Sequence, residues 1–254
     1  MSAKQVWRNL VQKLEGRKPP SYDADSLRVW GKGAAFLRDT RFQEAYRRGM
    51  FSGHKIGGQR GADIHIEWRV HTILWAATQA TKLAGDFVEC GVNTGIFSLA
   101  ICDYLKFNSL DKSFYLFDTY AGIPEEQLNE VELKKRRSSR LNKCYEECFE
   151  TAQRNFAEYP RAILVRGRVP ETLTTVPISA VSYLSIDMNI AEPEVAAINY
   201  FWPRLSPGAP VVLDDYGWTN HLPQRLALDE FASSKGLTVL ELPTGQGLLI
   251  KPPN

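Results

Sequence analysis

Three carboxylates, Asp187, Asp214 and Asp215, hold the most chemical information in this 254-residue chain. Asp187 follows the apolar run 180–186, and the Asp214–Asp215 pair follows the run 211–213, so each stands where a strand would end. Acidic groups gathered at one end of neighbouring strands repel one another unless protons or a cation neutralise them. Hard oxygen ligands of this kind suit Mg²⁺, while surface capping is the alternative for any one of them. Upstream, residues 87–90 form a short apolar run broken only by Glu89, which opens into Gly91-Val92-Asn93-Thr94-Gly95 and then the apolar, helix-compatible stretch 96–105. Strand, tight turn and helix is the order this implies. Glycines there let the backbone take positive φ and let a ligand approach the main chain, with free N–H donors behind it. A plain packing turn fits the same glycine pair. Asp118 follows the run 114–117 and is placed either to accept the hydroxyls of a ribose or to serve as a cap or turn residue.

The elements that must position these residues alternate along the chain. Helix 66–83 leads into strand 87–90, helix 96–105 and strand 114–117. Strands 162–165 and 180–186, helix 195–202, strand 211–213 and helix 223–234 follow, and strands 237–242 and 247–250 finish the series. Such alternation predicts an α/β fold, a mainly parallel sheet covered on both faces. Residues 243–246, Pro-Thr-Gly-Gln, read as a hairpin that makes one edge antiparallel. In open sheets of this class, ligands bind at the carboxyl ends of the strands, which is where the acidic residues and the glycine turn fall.

Residues 1–16 carry Val6, Trp7, Leu10, Val11 and Leu14 at helical spacing, predicting an amphipathic helix ended by Pro19-Pro20. Residues 25–48 read as partly helical, and the glycine-rich stretch 53–61 as a loop that could be mobile. Residues 125–156 are the one long insertion, with Lys134-Lys135-Arg136-Arg137 read as a solvated face and Tyr145, Cys148, Phe149, Ala152 and Phe156 as a helix lying on the sheet. The formal charge of +2 supplies no global field for nucleic acid or membrane binding. The four cysteines fit no zinc pattern, which points to a reducing, cytoplasmic compartment. No membrane span and no signal peptide are expected.

Four blocks together resemble the macrocin O-methyltransferase family: Gly85-Asp86-Phe87-Val88-Glu89-Cys90-Gly91-Val92, the run from Tyr115 to Pro124 (YLFDTYAGIP), Gly167-Arg168-Val169-Pro170-Glu171-Thr172-Leu173, and Val212-Leu213-Asp214-Asp215-Tyr216-Gly217-Trp218. The resemblance spans about residues 65 to 250, and the order and spacing of four blocks are far more specific than one glycine motif. It implies a Rossmann-like class I methyltransferase fold with a seven-stranded sheet over residues 65–254, preceded by a helical cap and mobile loop over 1–64. It also implies S-adenosylmethionine as methyl donor. Glu89, Gly91, Gly95 and Ser98 would cradle it together with Asp187, Asp118 would hold the ribose, and Gly167 and Val169 would border the adenine. Asp187, Asp214 and Asp215 would be Mg²⁺ ligands, and the acceptor a hydroxyl of a sugar or other small molecule. A homo-oligomer is expected.

Two departures stand out. Relatives carry Asp-x-Asp-x-Tyr-Glu after the fourth strand, the second Asp being a proposed base, whereas this chain reads Asp187-Met188-Asn189-Ile190-Ala191-Glu192. Asn189 accepts no proton at neutral pH. His221, or else His54, is the replacement base that this leaves, with Asp187 the other catalytic candidate. Asn93-Thr94 also stands where an aromatic-Arg pair is common. A binding or accessory subunit that has lost catalysis is the competing reading. A dinucleotide dehydrogenase is weaker, because the turn is not Gly-x-Gly-x-x-Gly.

Overall fold

The computed structural model describes residues 19–135 and 141–253. The helix expected over 1–16, and Arg136 and Arg137 of the basic run, lie outside the described residues. After a small hairpin, β1 (Tyr22–Ala24) and β2 (Leu27–Val29), come α1 (Thr40–Met50) and α2 (Glu67–Ala80). The main series follows: β3 (Asp86–Cys90), α3 (Ile96–Leu105), β4 (Phe114–Asp118), α4 (Glu130–Lys134), α5 (Phe149–Phe156), β5 (Ala162–Arg166) and β6 (Val181–Ile186). It closes with α6 (Ala191–Phe201), β7 (Pro210–Leu213), α7 (Leu222–Ser234), β8 (Leu240–Glu241) and β9 (Gly247–Ile250).

The seven-stranded sheet has the order β5-β4-β3-β6-β7-β9-β8. Its first five members pair in parallel, and β9 pairs antiparallel with both β7 and β8. Both faces are covered, and the strand sequences show why: side chains alternate between two separate cores. Phe87, Phe114, Leu116, Tyr183 and Val212 pack under α1, α2 and α3. Val88, Cys90, Phe117, Leu184, Ile186 and Leu213 pack under α6 and α7. Period-2 alternation of apolar residues on both sides is what a strand buried from above and below requires. The fold is thus the expected one, and no described helix is long and apolar enough to cross a membrane.

Three local expectations differ from what is observed. Within 25–48 the chain forms the β1–β2 hairpin as well as a helix, because Asp25 and Ser26 both take positive φ, 47° and 60°, and close a two-residue turn. Asp-Ser is a weaker sequence signal for such a turn than Asn-Gly. Only Leu240–Glu241 of the expected strand 237–242 is extended, as β9 alone supplies the pairing to β7. In the insertion, the helix starts at Phe149, so Tyr145 lies ahead of it in an irregular segment held by Tyr145 N–H donating to the Leu141 carbonyl at 3.0 Å.

Candidate active site

The register of the parallel strands aligns their carboxyl ends. Cys90 pairs with both Phe117 and Ile186, and Ile186 pairs with Leu213. The next residue on each strand is therefore Gly91, Asp118, Asp187 or Asp214, all on one edge. β3 has β4 on one side and β6 on the other, so chain order reverses here and a crevice opens. The crevice is an open cleft whose lining includes Glu89, Gly91, Asp118, Gly167, Val169, Asp187 and Asp215.

Asp187, Asp214 and Asp215 converge: each offers one oxygen, and these lie within 4.8 Å of one another. Their environments differ. Asp214 is fully buried, forms an ion pair with Arg69, and accepts from Gln246 Nε2 at 2.9 Å. Asp215 lies 3.1 Å from His221 Nδ1. Burial, and then the Asp215 charge, push the Asp187 carboxyl up to about 7, with Arg69 acting against them. Oxygen donors crowded together, one with its proton affinity raised by its neighbour, fit a hard divalent cation. Asp187 and Asp215 face the cleft, while Asp214 stands behind them clasped by Arg69.

The glycine turn is shaped by contact as well as by φ. Gly91 has φ +90°, and a β-carbon there would meet the Asp187 carbonyl oxygen at 1.9 Å; Gly95 has φ +101°, and a β-carbon would meet the Phe156 ring at 2.6 Å. Asp118 clasps the turn: Oδ2 accepts from the Val92 and Asn93 N–H groups at 2.6 and 2.7 Å, and Oδ1 from Tyr120 N–H at 2.6 Å. A longer contact from the Thr119 hydroxyl, 3.3 Å from Oδ1, adds to these. Thr94 is braced from outside, with its hydroxyl 2.8 Å from that of Ser52 and its carbonyl accepting from Asn155 Nδ2 at 2.8 Å.

Glu89 is 1% exposed, and burial followed by the Asp187 charge raises its pKa well above the carboxylate range; the Ser98 hydroxyl works against this. Among the described residues, Glu89 Oε2 and Asn93 Nδ2 are buried without a hydrogen-bond partner, and both residues line the cleft. An orphaned acceptor and an orphaned donor beside an open cleft are what a bound polar ligand would satisfy. Neither His221 nor His54 lines the cleft. His54 is buried within its loop, and burial lowers its pKa.

Arg69 and Gln246 were not foreseen as parts of this region, while the insertion brings Tyr145 into the cleft lining. Arg69 and Gln246 reach Asp214 from positions 145 and 32 residues away, a separation for which no local spacing gives a signal. Glu132, 1% exposed, ties the insertion to the start of α6 by accepting from Ala191 N–H at 3.0 Å. Its Asn129-x-x-Glu132 spacing is a capping-box signature, and that box is formed.

Comparison with known proteins bears on what such a cleft is for. The family described as Macrocin-O-methyltransferase (TylF) matches residues 67–240. The chain belongs to this family. Among curated members, demethyldecarbamoylnovobiocin O-methyltransferase of Streptomyces niveus is 27% identical over 141 residues, 53% of this chain and 54% of that protein. The 8-demethyl-8-(2,3-dimethoxy-alpha-L-rhamnosyl)-tetracenomycin-C 4'-O-methyltransferase of Streptomyces olivaceus is 25% identical over 169 residues, 64% of this chain and 62% of that protein. The matches thus span little more than half of each macrocin-family relative's length. The solved O-methyltransferase NovP shares the fold, with a TM-score of 0.68 at 21% identity, over 87% of this chain and all of that one. Its class I methyltransferase architecture agrees with the parallel sheet and antiparallel edge described above.

Proposed function

We propose that this protein is an S-adenosylmethionine-dependent O-methyltransferase, assisted by Mg²⁺, that acts on a hydroxyl of a sugar or other small natural-product acceptor. One observation carries the reading: Asp187 and Asp215 open into the same cleft as the Gly91 turn and the orphaned Glu89 oxygen. Family membership and the names of the curated relatives support methyl transfer to oxygen.

The methyl donor supplies a carbon activated by positive sulfur, and a divalent ion lowers the pKa of a bound hydroxyl and orients it. The protein's part is positioning. Gly91 keeps the β3 turn against the Asp187 main chain, and Glu89 and Asn93 present an acceptor and a donor to the cosubstrate. Gly167 and Val169, in the same lining, would border it. Asp187 and Asp215 would hold the ion, while Arg69 and Gln246 fix Asp214 behind them. Asn189 offers no base, and His221, beside Asp215, would act on the ion's ligand rather than on the acceptor.

Titration calorimetry with S-adenosylhomocysteine tests the first half: binding is expected, and no heat at high protein concentration would refute it. Turnover in excess EDTA tests the second half, with loss of activity expected. A second reading, a cofactor-binding accessory subunit, is favoured specifically by Asn189 in place of an acidic residue. Cofactor binding without methylation of any sugar or phenol would support that reading instead.

A further inference from the structure

Tyr145 brings a phenol into the cleft from the insertion that follows the Tyr115–Pro124 block. The phenol shares a hydrogen bond with the Asn189 side chain and feels the charges of Asp187, Asp215 and Arg69. Asn189 is 8% exposed, and its Nδ2 lies 3.4 Å from Asp187 Oδ1. Its φ of +66° is a conformation that Asn tolerates better than most residues.

The main chain around Tyr145 is held firmly. Its N–H donates to the Leu141 carbonyl at 3.0 Å, and its carbonyl oxygen lies 2.7 Å from where a β-carbon on Gly122 would stand. Asn142 brackets the neighbouring strand end, accepting from Ile123 N–H at 2.8 Å and donating to the Ile123 carbonyl at 3.2 Å. A phenol keeps its proton at neutral pH and can donate.

We propose that Tyr145, steadied by Asn189, is a specificity-determining residue whose O–H donates to a second oxygen of the acceptor, next to the hydroxyl that is methylated. Asn189 is then a positioning residue that acts through the phenol. This rests on the O-methyltransferase reading of the cleft, and deepens it by naming which feature of the acceptor is read.

The test uses 4-nitrophenyl α-L-rhamnoside and its monodeoxy analogues as probes, titrated into enzyme saturated with S-adenosylhomocysteine and Mg²⁺. Tyr145→Phe is expected to weaken binding of the parent glycoside about tenfold, as loss of one hydrogen bond at a desolvated site does. The variant should bind the parent and one of the deoxy analogues alike, where the unaltered enzyme distinguishes them. In turnover the change should appear in KM, with kcat within about threefold. S-adenosylhomocysteine affinity and melting temperature should not move. Asn189→Ala should weaken the probe in the Tyr145 enzyme and have little further effect in the Tyr145→Phe background. Unchanged probe affinity in Tyr145→Phe overturns the proposal, as does parallel loss of S-adenosylhomocysteine binding, which would mark a structural role. If the unaltered enzyme binds S-adenosylhomocysteine but none of the glycosides, the acceptor reading itself falls, and this inference with it.

Discussion

Gly91 and Asp187 touch main chain to main chain: a β-carbon on Gly91 would lie 1.9 Å from the Asp187 carbonyl oxygen and 2.4 Å from its carbonyl carbon. The turn after β3 and the carboxylate after β6 are therefore one mechanical unit. Gly91→Ala would both overpack this contact and force a side chain onto φ +90°. A loss of about 3 kcal/mol of stability is expected from overpacking plus strain, with loss of S-adenosylhomocysteine binding. Urea denaturation and calorimetry check both, and a fully stable variant that binds normally would contradict the contact.

Arg69 is the counter-charge that lets Asp214 stay buried. Replacing it with Met leaves Asp214 with Gln246 as its remaining side-chain donor among the described residues. Breaking a buried pair from one side costs about 3–5 kcal/mol. Arg69→Met should lower the denaturation midpoint accordingly, and added Mg²⁺ should recover part of the loss.

The raised Asp187 carboxyl gives two pH trends of opposite sign. Its folded value of about 7 exceeds the ordinary 3.8, so the folded state holds a proton that the unfolded state has released between those values. That stability is present below pH 3.8 and is lost as pH rises through about 7, in the protein without metal. Divalent binding needs the ionised carboxylate, so affinity should fall about tenfold per pH unit below 7 and proton release should accompany binding. Melting curves with EDTA, and calorimetry in buffers of different ionisation enthalpy, read the two trends separately.

Asn189→Asp would place a further carboxylate beside Asp187, 3.4 Å from the present Nδ2 contact. Divalent affinity should rise by about tenfold through the added ligand charge. Stability without metal should drop, because like charges would be packed together. Equal affinity in the two proteins would place Asn189 away from the ion.

His221 stands 3.1 Å from Asp215 and outside the cleft lining. His221→Gln is therefore expected to weaken divalent binding by about tenfold, as loss of an outer partner of a metal ligand does. The acidic limb of the turnover–pH profile should keep its shape at saturating Mg²⁺. Loss of that limb would instead identify the imidazole as the base.

The layered fold was legible because each strand is buried on both faces, which leaves near-continuous apolar runs such as those of β3, β4 and β6. The meeting of Asp187 with Asp214 and Asp215 was legible for a related reason: parallel strands in register end together, so residues that each follow a strand must be neighbours. Arg69 and Gln246 were not legible. They come from a helix and a hairpin turn, and only the packed fold brings them to the carboxylates. Asp118 shows the limit for single residues. Its place after β4 was clear, but its three backbone donors depend on how the Gly91 turn folds back over it.

Gln246 reaches Asp214 from the turn that joins the last two strands, and Arg69 reaches it from the opening third of the chain. In chain order, all three aspartates precede the amide that secures one of them. A chain cut after Asp215 would carry the full acidic set with Asp214 only partly restrained. The acidic set is therefore complete in sequence before its restraints are, which wait for the hairpin that pairs beside β7.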